Sequence, residues 1–313
     1  MYQIDILIQG YPGRAVCHGG LGWSTSTLLR SDRHRILVDV GAFGVRHLLG
    51  RHLDACGVAP ADITDVVLTH AHYDHAVNFT LFPNATVWIG ARELEWAAAQ
   101  PPGFNPLPEL YVRELDRLDR VRRIDDGDAF LPGITAIAAP GHTPGHLLFY
   151  VDDPRQPILF TGDAAKNRAE LVSGQVVDTA DAAASHASLE RIWEWWRKRP
   201  DTLLVPGHDL GMKLDADGAP VYVAPMAHRS MSASAAPRSM RGSGMTWSRN
   251  GSTCAVRRVR GGTAFELAAK RREPSAITLQ PSLSPRELSA MALSRPQPPV
   301  SLPPRQAAIR NRL

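Results

Sequence analysis

Short apolar runs recur along the first 218 residues, each closed by Gly, Pro or a cluster of charges. Residues 4–8, 25–29, 36–40, 66–68, 85–89, 134–138, 147–151, 158–160 and 203–205 either alternate or run continuously apolar, as strands buried on one or both faces do. Between them, 45–55, 91–100 and 182–199 carry helical patterns. The first ends at Gly57 and Pro60, the second at Pro101-Pro102, and the third spaces Leu189, Ile192, Trp193 and Trp196 along one face. That aromatic stripe reads as core packing. Residues 9–23 are Gly-rich and predict a long loop or hairpin tip. Residues 101–120, Pro-rich and then charged, predict an insertion or lid, and both stretches are expected to border a cleft.

Strands and helices in alternation point to an α/β body, and a hydrophobic content of 44% is ordinary for one. No apolar run approaches the ~18 residues that span a bilayer, so no membrane association is expected. Residues 1–5 show no basic segment leading into an apolar one, so the expected compartment is the cytoplasm. Three cysteines, Cys17, Cys56 and Cys254, are too few and too scattered for a disulfide framework or a zinc ribbon.

Charge divides the chain in two. Residues 1–218 carry 20 Lys+Arg against 28 Asp+Glu, a net −8, whereas residues 219–313 carry 15 against 3, a net +12. The acidic part offers no footprint for nucleic acid. The basic part is rich in Ser, Pro, Arg, Ala and Gly and shows no periodicity, which predicts a disordered or non-native tail after a catalytic domain at 1–218.

Chemistry concentrates in His70-Ala71-His72-Tyr73-Asp74-His75, directly after the run 66–68. In extended chain His70 and His72 face the same side, and past a turn Asp74 and His75 can aim at a second point. One stretch can therefore feed two metals. Three further candidates follow apolar runs in Gly-containing turns: His142, Asp163 and His208. Imidazoles and carboxylates suit zinc, with iron or manganese as alternatives. His146, four residues after His142, reads as a supporting or structural residue. His18, His34, His47, His52, His186 and His228 read as ordinary histidines.

The series H-x-H-x-D-H followed by His, Asp and His at strand ends resembles the metallo-β-lactamase superfamily over roughly residues 1–218. The resemblance implies a four-layer αββα sandwich with metals at one edge. It implies that His70, His72 and His142 hold one metal, that Asp74, His75 and His208 hold the other, and that Asp163 bridges. Two such metals would lower the pKa of a nearby water towards 7 and so supply a nucleophile for a carbonyl or phosphoryl centre. Asp74 would orient that nucleophile or pass on its proton, as a catalytic residue.

An Asp at position 163 is similar to lactonases, glyoxalase II-type thioesterases and phosphodiesterase or tRNase members. Authentic β-lactamases generally place Cys, Ser or another non-bridging residue there. The spacings, 67 residues from His75 to His142, then 21 to Asp163 and 45 to His208, are consistent with acyl-homoserine lactonases. The expected activity is therefore dinuclear zinc hydrolysis of a small ester, a lactone first. Glyoxalase II-like thioester cleavage, mono-iron persulfide dioxygenation, and phosphodiesterase or β-lactamase activity stand as alternatives. Those lactonases typically carry a Tyr shortly after the bridging Asp. Here Ala164-Ala165-Lys166-Asn167 follows, leaving Tyr73 and Lys166 as candidate substrate contacts. Oligomeric state is not legible, and a homodimer is left open.

Overall fold

The computed structural model describes residues 1–15, 19–20 and 22–223. Its first half builds one sheet and its second half another. The first comprises β1 (Gln3–Ile8), a small hairpin of β2 (Arg14–Ala15) and β3 (Gly19–Gly20), β4 (Ser26–Arg30), β5 (Arg35–Val38), α1 (Arg46–Ala55), β6 (Asp65–Leu68), α2 (Tyr73–Ala76), β7 (Thr86–Gly90), α3 (Ala91–Ala98), α4 (Glu109–Arg117) and β8 (Val121–Ile124). Its six strands lie in the order β1-β4-β5-β6-β7-β8, antiparallel up to β5 and parallel from β5 to β8.

The second sheet takes β9 (Ala129–Leu131), β10 (Ile134–Ala138), β11 (Leu147–Val151), β12 (Ile158–Gly162), α5 (Arg168–Ser173), α6 (Ala182–Lys198), β13 (Leu203–Pro206), β14 (Met212–Leu214) and β15 (Pro220–Tyr222). Its seven strands run β15-β14-β13-β12-β11-β10-β9, with only β12 and β13 parallel.

Side-chain alternation sorts the core into three slabs. In β6, Val66 and Leu68 face α1, α3 and α4, while Val67 faces the other sheet. In β13, Leu203 and Val205 meet the first sheet, and Leu204 packs under α6 with Leu189, Ile192 and Trp196. Strands buried on both faces have no polar side to show, so they read as unbroken apolar runs. The layers are helix, sheet, sheet, helix, as expected. No helix among the described residues is long and apolar enough to cross a membrane.

Two expectations need correction. Residues 101–120 are not simply an insertion or lid: α4 buries Val112 and Leu115 against the first sheet's helical layer, and only the stretch before it, at Pro106, reaches the cleft. The strand β8 that follows is also part of the fold. The body does not stop at 218, because β15 pairs with β14 through Met212–Tyr222, Lys213–Val221 and Leu214–Pro220. Of the tail expected at 219–313, residues 224–313 lie outside the described residues.

Candidate metal centre

All seven predicted ligands leave the same edge of the sandwich. His70 and His72 follow β6, Asp74 and His75 lie in α2, His142 follows β10, Asp163 ends β12, and His208 ends β13. Two glycines let the loops close in. Gly162 has φ +46, and a Cβ there would lie 2.7 Å from both His146 Nε2 and Thr69 Oγ1. At Gly207 a Cβ would lie 2.3 Å from Asp163 Oδ1, so only glycine admits the carboxylate.

The donor atoms fall into overlapping trios, His70/His72/His142, His70/His75/Asp163 and Asp74/His75/His208, each with atoms within 4.8 Å of one another. His142 Nε2 lies 3.0 Å from His72 Nδ1. Asp163 stands between the trios: Oδ1 is 3.2 Å from both His75 Nε2 and His208 Nε2, and Oδ2 is 3.3 Å from His142 Nε2. Asp74 Oδ2 completes the far side, 3.3 Å from His208 Nε2 and 3.8 Å from His75 Nε2.

Cations fit this set on the evidence of the protein atoms. Among the described residues, His70 Nε2, His75 Nε2 and Asp163 Oδ1 are buried without a hydrogen-bond partner. Buried polar atoms are rarely left so, and three that converge call for an ion. Nitrogen and carboxylate donors in groups of three or four are what zinc takes.

The imidazoles are aimed from behind. Asp39 accepts from the Thr69 amide and hydroxyl, both at 2.9 Å, and pairs with His75 Nδ1 at 2.7 Å, leaving His75 Nε2 for the site. Thr69 Oγ1 reaches His70 Nδ1 at 3.1 Å, and the Asp178 carbonyl reaches His142 Nδ1 at 2.9 Å. His146 Nε2 accepts the Asp163 amide at 3.0 Å.

The two halves differ electrostatically. Burial, followed by the neighbouring imidazoles, holds His70 well below the usual histidine range. Burial, against the pull of Asp163, takes His72 to about 3 and lowers His142 strongly. For His75 and His208 burial is outweighed by Asp163 and Asp74, with Asp39 adding to His75, so both are raised. Asp163, surrounded by His208, His75 and His142, is held well below the carboxylate range despite its burial. The His70/His72/His142 half is thus shifted away from the charged form, whereas His75 and His208 are shifted towards it beside Asp163 and Asp74.

The centre opens into a cavity of about 220 Å³. Pro12, Gly13 and Gly22 from the Gly-rich loop, Pro106, Tyr73, Lys166, Asn167, Val177 and Asp178 line it with five of the ligands. Tyr73 is 39% exposed at this wall, its amide bound to the Pro106 carbonyl at 3.1 Å. The Lys166 ammonium is engaged by Glu170 at 3.0 Å and by the Val177 carbonyl at 2.8 Å. A larger cavity, about 650 Å³, is lined by Ile4 and Ile6 of β1 and by Leu203, Lys213 and Val223, and by none of the seven ligands. Its Lys213 is bound to Gln156 at 2.5 Å and its Arg155 to the Tyr2 carbonyl at 2.7 Å.

The sequence did not disclose Asp39 and Glu93. Asp39 has φ +50, and an Asp before Val-Gly at a strand end is the one available hint of it. Glu93 looks like any acid in a helix's first turn. In the structure it has no exposed surface, and burial raises its pKa to about 7 against three hydrogen bonds that lower it.

Comparison with known proteins adds two kinds of likeness. A family model described as "Metallo-beta-lactamase superfamily" matches residues 19–208. The chain is 33% identical over 168 residues to the N-acyl homoserine lactonase AttM of Azorhizobium caulinodans, spanning 50% of this chain and 61% of that protein. It is 31% identical over 184 residues to the AttM of Agrobacterium fabrum, spanning 55% and 68%. The chain therefore spans less than two thirds of the first relative's length. Among solved structures it is similar in fold to AidC, a dizinc quorum-quenching lactonase in complex with a homoserine product, with TM-score 0.55, 18% identity, and 71% and 92% of the two chains covered.

Proposed function

The chain belongs to the metallo-beta-lactamase superfamily, and we propose that its centre holds two zinc ions and opens the ring of a lactone, an N-acyl homoserine lactone first. The observation that carries this reading is the Asp163 carboxylate, one oxygen turned to His75 and His208 and the other to His142. A carboxylate so placed suits a bridge between two cations. Of the activities open to such a centre, lactone opening is the one the relatives' names support.

In this reading His70, His72 and His142 hold one ion, Asp74, His75 and His208 the other, and Asp163 both. When bound, the pair supplies Lewis acidity for the ester carbonyl and makes water nucleophilic near neutral pH. The chain supplies the rest. Neutral His70, His72 and His142 offer lone pairs without first losing protons. Asp74 lines the cavity, and its carboxylate takes the proton from the attacking water and returns it to the departing alkoxide. Lys166, fixed by Glu170, presents positive charge to the substrate's oxygens, and the Tyr73 phenol contacts its acyl or ring portion. The loop carrying Pro12 and Gly13, with Pro106 opposite, narrows access to water.

Ring opening releases acid, so zinc-loaded full-length chain is assayed by pH-stat with N-hexanoyl homoserine lactone. Steady acidification that is lost in Asp163→Ala is expected. A wild-type chain carrying two zinc ions that leaves the lactone intact while cleaving a thioester would overturn the assignment.

A further inference from the structure

Glu93 is a wholly buried acid with no basic side chain among its hydrogen-bond partners. Its Oε1 accepts from the Ala71 amide at 2.9 Å. Its Oε2 accepts from the Thr143 hydroxyl at 2.6 Å and the Gly145 amide at 3.2 Å. Ala71 lies between His70 and His72, and Thr143 directly follows His142, so one carboxylate joins the two loops that supply the three-histidine trio. The contact is close at the backbone as well: a Cβ on Gly145 would lie 2.1 Å from the Glu93 nitrogen. None of the three bonds reaches a residue adjoining Asp74, His75 or His208.

Burying a carboxylate is unfavourable, and an apolar side chain would fill the same space without that penalty. What an apolar residue cannot do is accept two amides and a hydroxyl from separate loops at once. We propose that Glu93 is a positioning residue for the three-histidine centre, setting the distance between the His70/His72 loop and the His142 loop and thereby that centre's affinity for a divalent cation such as zinc. The inference rests on the two-metal reading of the site.

Glutamine at 93 keeps the volume but not the acceptors. Whichever way its amide turns, an NH₂ faces either the Ala71 or the Gly145 N–H, so one loop is released. The experiment titrates zinc against a chromophoric chelator in two backgrounds. Asp74→Ala weakens the second centre so that the three-histidine centre is read by itself, and His142→Ala does the converse. In the first background Glu93→Gln is expected to weaken zinc binding by about 10–100-fold, the usual range for a residue that orients ligands. Cobalt bound there is expected to show a shifted visible absorption. In the second background the affinity should stay within about twofold, a selectivity that general destabilisation would not give.

Thr143→Val removes a single donor and should cause a smaller loss at the same centre. It decides the question by the same criterion if Glu93→Gln does not fold by circular dichroism. Equal losses in both backgrounds, or no loss in the first, overturn the inference. A wild-type chain that takes up no zinc overturns the metal reading itself, whereas two tightly held zincs with unchanged affinity in Glu93→Gln overturn only the role of Glu93.

Discussion

Replacing Asp39 with asparagine exchanges one oxygen for an NH₂ and tests how the second half of the centre is kept ready for metal. Asp39 Oδ1 accepts the Thr69 amide at 2.9 Å, and Oδ2 takes the Thr69 hydroxyl at 2.9 Å and His75 Nδ1 at 2.7 Å. If the asparagine oxygen stays on the Thr69 amide, its NH₂ faces His75 Nδ1. The imidazole proton is then driven to Nε2, the atom turned to Asp163 and Asp74, and that lone pair is lost to a cation. If the amide turns over, His75 keeps its tautomer but two buried N–H groups confront each other across the Thr69 contact, at about 1–3 kcal/mol. The cheaper outcome corresponds to roughly 10–100-fold in affinity. Asparagine tolerates φ +50 as aspartate does, so the backbone adds no further penalty. Chelator competition should show the second zinc equivalent weakened by about that factor, with a smaller change in the first. A variant that binds both equivalents like wild type would refute the argument that Asp39 fixes the His75 tautomer.

Other outcomes follow from the same geometry. Gly207→Ala puts a Cβ 2.3 Å from Asp163 Oδ1 and 2.7 Å from the Gly162 carbonyl oxygen, so the bridging carboxylate must move. Under the proposed activity, lactone turnover should fall by about 100-fold or more, measured by pH-stat at saturating zinc. Gly50, inside α1, has nothing within 4 Å of a built Cβ and no positive φ; Gly50→Ala should add about 0.5–1 kcal/mol of stability in urea melts without changing turnover. In the metal-free chain His72 and His146 are lowered to about 3, so between pH 6.5 and 3 the unfolded state binds the extra protons. Stability should therefore fall on acidification through that window, by up to about 1.4 kcal/mol per pH unit for each histidine. Glu93, raised to about 7, works the other way: its contribution is present below 4.5 and lost as pH rises through 7. Urea melts across pH 4–7 check the net sign.

How much could be read beforehand depends on where each residue's consequences lie. Strands such as Asp65–Leu68 and Leu203–Pro206 were legible because burial on both faces leaves continuous apolar runs. The edge strand Val121–Ile124 shows Arg122 and Arg123 to solvent, and β14 and β15 are three residues each, so none carries a period to detect. Helix Glu109–Arg117 buries only Val112 and Leu115, too few to outweigh the prolines before it. The seven ligands stood out because their chemistry is concentrated after recognisable strands. Asp39 and Glu93 did not, since a single acid looks solvated until the fold is seen to surround it with amides.

Metal analysis of the purified, zinc-supplied chain tests most directly whether the seven side chains cage two ions. Two zinc ions per chain are expected by mass spectrometry, falling to one or fewer in Asp163→Ala. A wild-type chain that retains no stoichiometric metal after gel filtration, while remaining folded, would contradict it.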